Sequence, residues 1–142
     1  MKTGGVHSEL TELHLVEQQT PRKRDSAEDL FAAQCRAARL PLFERQCTFA
    51  KSLGRKWRFD FAFRPFRIAV EIEGLVVRRI AGVPVVMGRH ATITGIAEDM
   101  LKYNSAALLG WTVLRFRQAD VKPKRAIEMT MRVLAARGWR QL

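Results

Sequence analysis

The sequence predicts an α/β (α+β) domain in which one mixed sheet is flanked by helices, and three observations predict it. The first is size: 142 residues with 47% apolar and 27% charged side chains suit one domain with one modest core. The second is the order of hydrophobic periods, which runs helical, then alternating over several short segments, then helical, alternating and helical again. The third is punctuation, because Pro41, Gly110 and Gly138 fall where those periods end. No apolar run approaches the ~18 residues of a spanning helix. No charged-then-apolar leader opens the chain, and Cys35 and Cys47 cannot build a disulfide framework, so the expected compartment is the reduced cytoplasm.

Residues 1–25 read as an N-terminal appendage, set off by Gly4-Gly5 and Thr20-Pro21, with a short docking helix over Ser8 to Gln19 carrying Leu10, Leu13 and Val16. The main domain spans 26–142. Ser26 is an N-cap residue followed by Glu28 and Asp29 in a first turn, where carboxylates complement the helix dipole. Leu30, Phe31, Ala33, Ala37 and Ala38 then form the apolar side of a helix reaching Arg39. Leu42 to Phe49 is a weak strand. Trp57 to Phe63 alternates, which predicts Trp57, Phe59, Phe61 and Phe63 on one face and Arg58, Asp60 and Ala62 on the other. Arg67 to Glu73 puts Ile68, Val70 and Ile72 opposite Ala69, Glu71 and Glu73, and the short link at Arg64-Pro65-Phe66 predicts a hairpin.

The connection over 74–95 is long for a small domain, which is often a sign of function. Leu75 to Ile80 and Val83 to Met87 flank Ala81-Gly82 there and predict a β-ribbon. A helix follows from Ile96 or Ala97 to Leu109, with Ile96, Met100, Tyr103 and Ala107 as its apolar stripe, then a strand from Trp111 to Phe116. Pro123 starts a last helix to Arg137. The predicted order is α-β-β-β-(ribbon)-α-β-α.

The chain carries a formal charge of +11, and residues 1–20 do not share it: Lys2 stands there against Glu9, Glu12 and Glu17. Clusters that include Arg58, Arg78, Arg79, Arg89, Arg115, Lys122 and Lys124 favour a polyanion, because each neutralised phosphate releases counterions. DNA is the expected partner. No basic amphipathic helix with aromatic anchors argues for a membrane, and no small-molecule cofactor is expected.

Against that background, three acids inside apolar strands stand out. Asp60 lies between Phe59 and Phe61, and Glu71 and Glu73 leave one strand face. Carboxylates gathered across a ladder repel unless a cation neutralises them, and hard oxygens suit Mg²⁺ or Mn²⁺. The bland alternative is an exposed face paired with Arg58, Arg64, Arg67 or Arg115. Lys102, with Asp99 and Glu98 before it, is either one half of a surface pair worth about 0.3–0.5 kcal/mol or an ammonium at the carboxylates that stabilises phosphate charge. His90, in Gly88-Arg89-His90, is either an incidental loop residue or a base beside a phosphate.

Asp60, Glu71-Ile72-Glu73-Gly74 and Lys102, in this element order, resemble the PD-(D/E)XK nuclease superfamily. Within it they are similar to the small phage and bacterial endonucleases related to very-short-patch repair enzymes. Trp57 to Ala62, Gly88-Arg89-His90, Lys102-Tyr103-Asn104 and Gly110 to Phe116 look like that branch as well, and the resemblance covers about residues 26–138. It implies a restriction-endonuclease-like core and a Mg²⁺-dependent endonuclease that leaves 5′-phosphate and 3′-hydroxyl ends in phage DNA recombination or repair. It also implies metal ligation by Asp60, Glu71 and the Ile72 carbonyl, with Glu73 completing the shell or orienting water. Glu28 matches a glutamate often near the metal, with Asp29 as its rival. The family pattern has a lysine where Glu73 stands, and Lys102 would replace it from the helix.

Two other functions fit the same residues. One is a non-catalytic nucleic-acid-binding module on a nuclease-like fold. The other is an interaction factor in a phage recombination or packaging complex, which rests on the appendage alone. Symmetric junction resolution needs two active sites, which makes a homodimer the assembly to test.

Overall fold

The structure, a computed structural model, describes residues 26–74, 76–88 and 92–142. The expected appendage over 1–25, together with Arg89 and His90, lies outside the described residues. The elements are α1 (Ala27–Ala37), β1 (Glu44–Thr48), β2 (Arg58–Phe63), β3 (Ile68–Glu73), β4 (Val76–Ile80), β5 (Val83–Met87), α2 (Ile93–Leu108), β6 (Thr112–Arg117) and α3 (Arg125–Ala136). They follow the predicted order. Among the described residues no helix is long and apolar enough to cross a membrane.

The chain forms a mixed four-stranded sheet in the order β1-β2-β3-β6. The first three strands are an antiparallel meander, and β6 returns parallel to β3, a crossover that needs an intervening helix. That helix is α2. The β2–β3 link is a single tight turn over Arg64–Phe66, with Arg67 at φ 53°. The ribbon is a separate two-stranded antiparallel sheet of β4 and β5. Ala81 and Gly82 have φ of 51° and 79°, the two positive values that suit a tight two-residue hairpin.

Both faces of the main sheet are buried. One carries Phe61, Phe63, Ile68 and Val70 against Phe31 of α1 and Leu134 of α3. The other carries Ala62 and Ala69 with Cys47, Phe59, Ala106 and Trp111. Phe59 therefore does not share the face of Phe61 and Phe63, contrary to the strict alternation expected of β2. The register of β2 on β3 covers Phe61↔Val70 to Phe63↔Ile68. Beyond it, the Asp60 N–H is given to the Glu71 side chain at 3.1 Å, and the Ile72 N–H to the Asp60 carboxylate at 2.8 Å. On the other flank, Gln46 of β1 sits at φ 50°. Period two breaks at this point, and Phe59 turns to stack on Phe49 at 3.8 Å and to meet Trp111 edge-on at 5.2 Å.

The helices correct the expected stripes. In α1, Ser26 Oγ accepts the Asp29 N–H at 3.2 Å, as a cap should. The buried side is Phe31, Ala32 and Cys35, while Ala33 and Ala37 are exposed. Phe31 has the reach to meet Phe61 at 4.9 Å and so sets the helix rotation. α2 starts earlier than predicted, because Thr92 Oγ1 caps it by accepting the Gly95 N–H at 3.0 Å. Ile96, Met100 and Ala107 face outward and Ala106 inward. The sheet beneath α2 offers the small Ala62 and Ala69 and the acids of β3, so the helix turns Lys102 and Tyr103 towards them. α3 starts at Arg125, two residues after Pro123, with Lys124 at φ 66°.

Candidate active site

A cleft of about 370 Å³ opens where the β2–β3 ladder parts, and Glu28, Asp60, Glu71, Glu73 and Lys102 all line it. Each comes from a different constraint. The cap at Ser26 places Glu28 in the first turn of α1, the broken ladder places Asp60, the pleat of β3 projects Glu71 and Glu73 together, and the rotation of α2 supplies Lys102.

Glu71 is 5% exposed, and both of its oxygens are engaged. Oε1 accepts the Lys102 ammonium and the Tyr103 hydroxyl at 3.3 Å. Oε2 accepts the Asp60 N–H at 3.1 Å. Burial pushes its carboxyl above the usual range, and Lys102 opposes that shift. The Asp60 carboxylate accepts the Ile72 N–H at 2.8 Å and a longer bond from Gln46 Nε2 at 3.4 Å.

Burial first and the neighbouring charge of Asp60 next push the Glu28 carboxyl above its usual range. Arg45 opposes this from 3.7 Å. The rival Asp29 is held by Arg45 at 2.8 Å and does not line the cleft, so Glu28 is the α1 acid at this site.

Glu73 is tied to Arg115, whose Nε donates at 2.6 Å. The Arg115 guanidinium also lies 3.8 Å from Asp99 and covers the Tyr103 ring at 4.1 Å. Burial and the charge of Glu71 push the Tyr103 hydroxyl far up, so it stays a hydrogen-bond donor.

The structure thus brings together Glu28, Asp60, Glu71, Glu73 and Lys102. Arg58 lines the same cleft, and Arg115 is turned to its acids. Arg78 and Arg79 project from the ribbon strand β4. Lys122 and Lys124 are exposed near the start of α3 and do not line the cleft. Gln46, Lys56 and Tyr103 line it without having been singled out for chemistry in the sequence. The helical period puts Tyr103 in an apolar stripe, and nothing in the sequence pattern marks Gln46.

The donor set suits a hard divalent cation in kind. Glu28 and Asp60 line the same cleft and raise each other's electrostatic cost, which a cation would relieve, and Glu71 accepts the Asp60 N–H. Among the described residues, however, no group of three or more His, Cys, Asp or Glu side chains is close enough to hold a metal as arranged. Glu71 is held by Lys102 and Glu73 by Arg115. Comparison with family models, with curated proteins and with solved structures returned no match.

Proposed function

We propose that the protein is a metal-dependent DNA endonuclease of the PD-(D/E)XK type, with a restriction-endonuclease-like core. The observation that carries this reading is the meeting of Lys102 with Glu71 across 31 residues of sequence. That pairing supports Lys102 in place of the lysine that Glu73 replaces. The α-βββ-α-β order, with an antiparallel meander and a parallel fourth strand, supports the fold assignment.

Asp60, Glu71 and Glu28 are the side chains that would hold Mg²⁺ or Mn²⁺. Such an ion supplies Lewis acidity and a water acidified towards hydroxide. The chain's own contribution is positional and electrostatic. Lys102 places a positive charge where the phosphoryl oxygens become more negative. Arg58 at the cleft wall holds the backbone and carries no sequence information. Arg115 anchors Glu73, which favours a structural role for that acid over ligation.

Supercoiled plasmid and branched DNA, incubated with Mg²⁺ or Mn²⁺, test the proposal. Metal-dependent cleavage is expected, and cleavage that persists in Asp60→Ala or Glu71→Ala would overturn the assignment. One observation favours a second reading, a nucleic-acid-binding module without catalysis: both Glu71 oxygens are already satisfied by protein groups. That reading predicts salt-sensitive DNA binding and no cutting with either metal.

A further inference from the structure

We propose that the β4–β5 ribbon is an arm that enters a groove of duplex DNA beside the cleft. This rests on the nuclease reading for its location and on the ribbon's own features for its chemistry. β4 begins two residues after Gly74, which lines the cleft, so the arm springs from the wall of the candidate site.

The ribbon lacks what an ordinary sheet has, a buried face. Val77, Ile80, Val83 and Val86 are 57%, 55%, 59% and 49% exposed. The register Val77↔Val86 and Ile80↔Val83 places these two apolar pairs on opposite faces, because neighbouring positions alternate. A two-stranded ribbon whose faces are exposed among the described residues is marginal in water, and exposed apolar side chains on both faces point to an interaction surface.

The identity of the partner follows from charge and shape. Arg78 and Arg79 are consecutive, so each face carries one guanidinium. The sequence from Gly74 to Ala97 contains no Asp or Glu. A second copy of this chain would bring two such arginine-bearing ribbons together and would cover one face only. A duplex groove meets both sides of an inserted ribbon: its phosphate walls take the arginines, and its floor takes the apolar tip at Ile80, Val83 and Pro84. Two-stranded ribbons fit such grooves, and apolar side chains at their ends can wedge base steps apart.

Fluorescence anisotropy in EDTA, which separates binding from cutting, tests the arm with the full chain and a labelled duplex. The double variant Arg78→Ala/Arg79→Ala is expected to weaken binding at least about tenfold and to reduce the salt slope by about 2. Val83→Ser is expected to lessen the fluorescence rise of a 2-aminopurine placed in the bound duplex, while the arginine contacts persist. Circular dichroism and thermal melts check that the variants fold.

Unchanged duplex affinity and salt slope in the double variant would overturn the proposal. So would a concentration-dependent dimer that Val83→Ser dissolves, which would assign the ribbon to a second copy. Ribbon-dependent binding without metal-dependent cleavage would sink the nuclease reading and leave the arm intact. Cleavage that is indifferent to the ribbon would do the reverse.

Discussion

The cleft and the ribbon are neighbours in sequence and opposites in construction. In the cleft, charged groups are brought out of water and answered one by one: Lys102 on Glu71, Arg115 on Glu73, backbone N–H groups on Asp60 and Glu71. In the ribbon, Val77, Ile80, Val83 and Val86 stand exposed among the described residues. Each costs stability. A buried carboxylate must be matched, and a half-exposed valine forgoes roughly half of the ~1.5–3 kcal/mol that full burial supplies. On the proposed reading both costs would be offset from outside the chain, by a nucleic acid and its cation.

The contrast predicts that single substitutions act very differently in the two regions. The largest effect is expected at Lys102. Lys102→Met removes the cleft ammonium and should lower any metal-dependent cleavage rate by about 10²–10³-fold. It also leaves Glu71 buried and unpaired, a loss of about 3–5 kcal/mol in denaturant unfolding. The double variant Lys102→Met/Glu71→Gln should regain most of that stability and none of the activity. A single variant as stable as the parent would show that the pair is not buried as described.

Phe59→Ala comes next, at about 3–5 kcal/mol. Phe59 packs on Phe49 and Trp111 just beside the ladder break, so its loss should loosen the Asp60 segment as well. Faster amide exchange at Ile72, whose N–H is held by Asp60, would report that.

The ribbon should behave in the opposite way. Val83→Ser is expected to change global stability by less than about 0.5 kcal/mol, because it removes no buried contact. A loss above 2 kcal/mol would mean that the ribbon packs against something within the protein.

Another small effect, confined to acid pH, is at the surface. Arg64 holds the carboxyl of Glu44 down to about 2 through two hydrogen bonds of 2.9 Å. A carboxyl depressed in the folded state adds stability at pH values above its unfolded value near 4.5 and loses that stability as pH falls towards 2. Both side chains are about half exposed, so solvent screening keeps the contribution below about 1 kcal/mol. Glu44→Gln should flatten the melting curve between pH 5 and pH 2, set as about those limits, and leave it unchanged elsewhere.

The parts of this molecule legible in the sequence are those governed by local chemistry. Ser26 caps because a hydroxyl before a helical stripe has few other uses. Ala81-Gly82 turns because two short alternating runs need a tight link. Asp60 and Glu71 stand out because acids inside strands are costly, Lys102 as the candidate cation for them, and the structure places all three in one cleft. What was not legible depends on long-range geometry. Phe59 leaves the face of Phe61 because side-chain hydrogen bonds at Asp60 break the pleat, which no period-two pattern records. α2 presents Lys102 and Tyr103 and not Ile96 and Met100, because a charge on β3 outweighs an apolar stripe. The choice between Glu28 and Asp29 turns on Arg45 of β1, which hydrogen-bonds Asp29 at 2.8 Å and reaches Glu28 only at 3.7 Å.

The central claim is that the acid cleft cuts phosphodiesters with a divalent cation. It is tested most directly by end analysis of a labelled DNA duplex and a branched substrate incubated with Mn²⁺, using the parent chain and Asp60→Asn. The parent should yield 5′-phosphate and 3′-hydroxyl ends, and Asp60→Asn should leave both substrates intact while binding them as before. Intact substrates with the parent chain, or equal cutting by Asp60→Asn, would contradict it.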